Sequence, residues 1–122
     1  MRLTALSDTE ILLKLEELSQ AHDVKLTFAH KMFYISLLHL CEEIGELDEV
    51  SQQYFVELSV VAFVEEFKVS HTTVVESLKL LSKCGAIRRE KHKRGFRKLA
   101  KDDYVKNSAF RTFINALYLQ VI

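Results

Sequence analysis

The chain has 122 residues, with 17 Lys or Arg, 17 Asp or Glu, 48% apolar and 10% aromatic side chains, no Pro, no Trp, three Gly and two Cys. That length makes one compact domain, or two very small lobes sharing a core, with little room for a separate catalytic domain. Average usage would give roughly six prolines, so their absence points to helices joined by short turns and excludes collagenous, low-complexity and linker-rich chains. The zero net charge hides a polarity: residues 1–66 hold four basic side chains against thirteen acidic ones, residues 67–101 hold eleven basic against Glu76 and Glu90, and the remainder balances. Such a concentrated positive field attracts a polyanion, with nucleic acid leading, unless the acidic half neutralises it within the fold or across a dimer.

In chain order, Ser7 and Glu10 form a capping-box signature, and Ile11, Leu12, Leu15 and Leu18 follow at helical spacing, predicting a first helix over 7–22. A second helix over 27–44, with Phe28, Met32, Ile35, Leu37, Leu38, Leu40 and Cys41, is apolar around much of its circumference, as a central helix would be, and Gly45 ends it. Residues 46–53 are acidic and polar, hence a loop, and Tyr54, Phe55, Val56 and Leu58 suit a short strand. Ser59 then caps a short helix carrying Val60, Val61, Phe63, Val64 and Phe67, and Lys68 and Val69 make a turn. Ser70 caps the next helix, 71–84, which stops at Gly85. Beyond it, AIRREKH, KRGF and RKLAK read as β-like runs with Gly95 at the hairpin tip, and Ser108 caps a last helix bearing Phe110, Phe113, Ile114, Leu117 and Val121.

Cys41 and Cys84 have no CxxC partner, so they read as buried thiols of a cytosolic protein. No apolar run of signal length opens the chain. The most apolar stretch, 54–67, carries three glutamates and falls short of the roughly 20 apolar residues of a membrane span. The expectation is a soluble, cytoplasmic protein without membrane contact. The five histidines show no i, i+4 ligand pair, and no nucleophile motif or phosphate loop occurs, so neither a metal, a cofactor nor catalysis is expected.

A short helix, a three-residue turn, a capped helix, a glycine stop and a basic hairpin stand in the order of a winged helix-turn-helix. Within VSHTTVVESLKLLSKCGAI, residues Val69, Ser70, Thr73, Val74, Leu78, Leu81, Gly85 and Ile87 match a known pattern. The segment resembles the recognition helix of bacterial winged-helix DNA-binding proteins, and the likeness covers 59–103. The fold class expected is therefore mainly α with a small β-hairpin wing: a helical scaffold or degenerate first lobe over 1–58, the winged helix-turn-helix over 59–103 and a C-terminal helix over 104–122.

In that family the helix N-terminus and outer side meet base edges in the major groove, which implies Ser70, His71, Thr72, Thr73, Glu76 and Lys79 as readers, with Lys83 beside them. Lys91, Lys93, Arg94, Arg97 and Lys98 make the wing a second, phosphate-binding contact. Glu76 departs from the family pattern, since an acid facing phosphate is repelled; it either accepts from a cytosine amino group or pairs with Lys79 or Lys83, and the pairing is favoured. Val75 and Leu80 put apolar groups outside the core stripe, suggesting contact with another protein segment. Phe96 either wedges into a groove or packs on its own hairpin.

A shift of forty positions sets Tyr34 on Val74, Leu38 on Leu78, Cys41 on Leu81, Gly45 on Gly85 and Leu47 on Ile87, so the first half reads either as a second copy of the same plan or simply as scaffold. The resulting expectation is a sequence-specific double-stranded DNA-binding protein. The layout is similar to small regulators or accessory factors of plasmid or phage replication, conjugative transfer or transcription. A homodimer through the C-terminal helix, or an internal two-lobe arrangement, would go with it. The alternative is a winged-helix protein-interaction module without direct DNA binding. RNA binding is a third reading, weakened by the lack of an aromatic stacking platform near the basic segment.

Overall fold

The computed structural model describes residues 2–91 and 110–115. Helix α1 (Asp8–Ala21) opens with a complete capping box: the Ser7 hydroxyl accepts from the Glu10 N–H, and the Glu10 carboxylate accepts from the Ser7 N–H at 3.0 Å. Helix α2 (Phe28–Ile44) repeats the device with Thr27 and His30. Strands β1 (Glu46–Asp48) and β2 (Gln53–Val56) form a hairpin, whose turn is held by the Asp48 carboxylate accepting from the Ser51 hydroxyl at 2.7 Å. Helices α3 (Val60–Phe67) and α4 (His71–Lys83) follow, then strands β3 (Ile87–Lys91) and β4 (Phe110–Ile114).

The fold is thus a small mixed α/β protein, and among the described residues its four strands make one antiparallel sheet in the order β1-β2-β4-β3. Two expectations are corrected. Residues 46–48, expected as loop, form edge strand β1; so short and exposed a strand carries no hydrophobic alternation to announce it. Residues 110–114, expected in a C-terminal helix, form β4, and the homodimer through that helix loses this part of its surface. Phe110, Phe113 and Ile114 do sit at helical spacing, but β4 lies between β2 and β3 and is covered on both faces. Thr112, Phe113 and Ile114 are consequently buried in succession, without the alternation of a half-exposed strand. The partner of β3 is therefore β4, across residues 92–109, and the expected KRGF and RKLAK runs lie outside the described residues.

Helices α2 and α4 pack on each other and on the sheet face that carries Val56, Ile87 and Ile114, and these close one core with Ile11, Leu15, Leu38, Phe63, Val74 and Leu81. On the opposite face Phe55 and Phe113 pair at 5.1 Å between centroids, each under a guanidinium: Arg111 lies 4.5 Å from the Phe55 centroid and Arg88 3.9 Å from that of Phe113. The order helix, helix, strand, strand occurs twice, and the sheet order reads the same from either edge when β1 and β2 are exchanged for β3 and β4. Tyr34, Leu37, Leu38 and Cys41 on α2, and Val74, Ser77, Leu78 and Leu81 forty positions later on α4, are all buried.

The two glycines that end helices do so differently. Gly85 has φ +82°, the left-handed region that a side chain enters at a cost. Gly45 has an ordinary φ of −68°, but a Cβ there would stand 2.5 Å from the Cys41 carbonyl oxygen, so it is required for space.

Candidate nucleic-acid interface

Helix α3 ends on Lys68 in the left-handed conformation (φ 54°, ψ 44°), and Val69 leads to Ser70, the N-cap of α4. The Ser70 hydroxyl accepts from the Thr73 N–H at 3.1 Å and bonds the Thr73 hydroxyl at 2.9 Å. Phe33 of α2 meets Phe63 and Phe67 of α3 edge-on, at 5.5 and 5.2 Å between centroids, which fixes α3 and with it the turn that aims α4. Val74, Ser77, Leu78 and Leu81 face inward, and His71, Thr72, Val75, Glu76, Lys79, Ser82 and Lys83 are exposed.

The expected readers therefore separate into groups. Ser70 and Thr73 use their hydroxyls on the cap. His71, Thr72, Lys79 and Lys83 are exposed and form no hydrogen bond or ion pair through their side chains among the described residues. Glu76 pairs with neither lysine of its own helix, contrary to expectation: its carboxylate lies 3.6 Å from His30 Nε2. The packing of α2 on α4 puts that imidazole there, and the Thr27 N–H donates to His30 Nδ1 at 3.1 Å, which leaves Nε2 as the edge turned to Glu76. His30 was not anticipated, because nothing local in the sequence joins position 30 to position 76.

Strand β3 commits part of the basic segment to the fold. Arg88 stacks on Phe113, donates to Gln53 Oε1 at 2.9 Å and pairs with Glu90. Arg89 lies 4.8 Å from the Phe110 centroid and donates to the Thr112 hydroxyl at 3.2 Å; burial pulls its pKa below the usual arginine value. Lys91 is exposed at the end of the strand. The expected wing residues Lys93, Arg94, Gly95, Phe96, Arg97 and Lys98 lie outside the described residues.

Between α4, the start of α3 and β3 runs a groove of about 270 Å³ lined by Val60, Val75, Leu78, Lys79, Ser82 and Arg89. Neither cysteine is a nucleophile at neutral pH: burial pushes Cys41 up to about 12, helped by the Glu42 charge, and also raises Cys84. Among the described residues no group of three or more His, Cys, Asp or Glu side chains could hold a metal ion, and no helix is long and apolar enough to cross a membrane. No family model, curated protein or solved structure matches this chain.

Proposed function

We propose that the protein binds double-stranded DNA sequence-specifically as a winged helix-turn-helix factor, with α3 and α4 as the helix-turn-helix and β3 leading into the wing. The observation that carries this reading is the outer side of α4, where His71, Thr72, Lys79 and Lys83 are exposed, with no side-chain partner among the described residues, beside an exposed helix N-terminus. Amides at such a terminus favour a phosphate, and the first residues of the helix reach base edges. His71 and Thr72 are the sequence readers. Lys79, Lys83, Lys91 and the basic side chains of 93–98 hold the phosphates. Ser70 and Thr73 shape the helix start, and Glu76 faces His30.

The role that fits is occupancy of a site, as a regulator or accessory factor of plasmid or phage replication, conjugative transfer or transcription. A salt titration of binding to arbitrary duplex tests it. Affinity is expected to fall by about 0.9 log unit per phosphate contact for each tenfold rise in salt, and Arg94→Ala to reduce that slope by about one contact. Absence of duplex binding at low salt would overturn the proposal.

A further inference from the structure

Two equivalent stripes on α2 and α4 are treated differently. Ile35 on α2 is 2% exposed, whereas Val75, forty positions later on α4, is 41% exposed. The α2 stripe is where the chain's own N-terminal segment is fastened: the Leu3 N–H donates to Glu42 Oε2 at 2.9 Å, Asp8 pairs with His39 at 3.3 Å, and the Leu3 side chain is buried in the core. The counterparts of Ile35, Leu38, His39 and Glu42 are Val75, Leu78, Lys79 and Ser82, and these four line the groove beside β3 with Val60 and Arg89.

We propose that this groove docks a short segment of a partner protein that carries a leucine and, five positions later, an acid, as the chain's own residues 3–8 do on α2. The first half of the molecule is the template. The leucine covers Val75 and Leu78, its N–H meets the Ser82 hydroxyl where Leu3 uses Glu42, and the acid pairs with Lys79 where Asp8 uses His39. Lys79 and Arg89 on the rim select an acidic segment over a basic one, because like charges there are repelled. The site goes beyond the DNA reading: it shares Lys79 with that surface, while Val60, Val75, Leu78, Ser82 and Arg89 belong to the groove alone.

The test uses the full isotope-labelled chain without DNA, titrated with the acetylated hexapeptide Leu-Thr-Ala-Leu-Ser-Asp, the sequence of residues 3–8. Saturable shifts are expected at Val75, Lys79, Ser82 and Arg89. Replacing the first leucine of the peptide by alanine should weaken binding roughly tenfold or more, from the lost apolar burial. Val75→Asp, at an exposed position, should keep the spectrum of the folded chain and lose the peptide; Lys79→Glu should weaken it. The proposal falls if no saturable shift appears at millimolar peptide, if shifts are confined to residues 35–42, or if Val75→Asp binds unchanged. Peptide binding by a chain that fails to hold duplex supports the docking and sinks only the DNA reading.

Discussion

Ser70 and Thr72 stand two positions apart at the start of α4; the first is engaged in the cap and the second is exposed, so the proposed DNA reading expects opposite outcomes from replacing them. Ser70→Ala removes the acceptor of the Thr73 N–H and the partner of the Thr73 hydroxyl. Both groups reach water once released, so the loss is that of an ordinary N-cap, about 1 kcal/mol, or about 3–5 °C in Tm for a chain of this size. Thr72 is exposed and caps nothing, so Thr72→Ala should leave Tm within about 1 °C, as surface changes away from special features do. Its cost should appear on the cognate duplex, at about 1 kcal/mol or more, roughly fivefold in Kd, with nonspecific affinity nearly intact. Paired thermal melts and fluorescence anisotropy at one fixed salt concentration read both quantities. Equal loss by Thr72→Ala on cognate and arbitrary duplex, or a Tm drop matching that of Ser70→Ala, would refute the assignment.

Other expectations concern the frame. The Ser77 hydroxyl on α4 is buried without a hydrogen-bond partner among the described residues, so Ser77→Ala should raise stability by about 1 kcal/mol in urea unfolding; a loss would show that the hydroxyl is satisfied. Gly85→Ala places a side chain at φ +82° in otherwise open space and should cost about 1–2 kcal/mol by the same assay, with an unchanged midpoint counting against the turn geometry. The Glu16 carboxylate is held below its ordinary 4.5 by its hydrogen bond and charge pairing with Lys31, which ties α1 to α2. A lowered folded-state pKa contributes stability above the unfolded value and loses it as pH falls through the folded one. The stability gap between wild type and Glu16→Gln should therefore close below pH 4.5; a gap that widened on acidification would contradict the pairing.

The four helices among the described residues were legible because their signals are local. Ser7, Ser59 and Ser70 sit at N-caps where they were expected, and the apolar spacing fixed which side of α4 is buried. The strands were less so. In FRTFI, Phe110, Phe113 and Ile114 satisfy a helical stripe and a strand equally, and only pairing with residues more than fifty positions back at β2 decides between them. The same long-range placement hid the tasks of Arg88, Arg89 and Arg111, which read as surface charge until Phe113, Phe110 and Phe55 are set beneath them. For the candidate site, the outward residues of α4 followed from periodicity, whereas the His30 contact to Glu76 and the groove under Val75 depend on how separate elements meet.

The insertion of β4 between β2 and β3 sets a schedule on biosynthesis. Until residues 110–114 leave the ribosome, β2 has only β1 beside it and β3 has no strand partner among the described residues, so the nascent chain carries open ladder donors and acceptors from the synthesis of β2 until that of β4. Closure of the sheet is a long-separation event, slow by loop entropy, and a truncation before Phe110 would take from β2 and β3 the strand they share, leaving the packing of α2 on α3 and α4 to hold the two halves together.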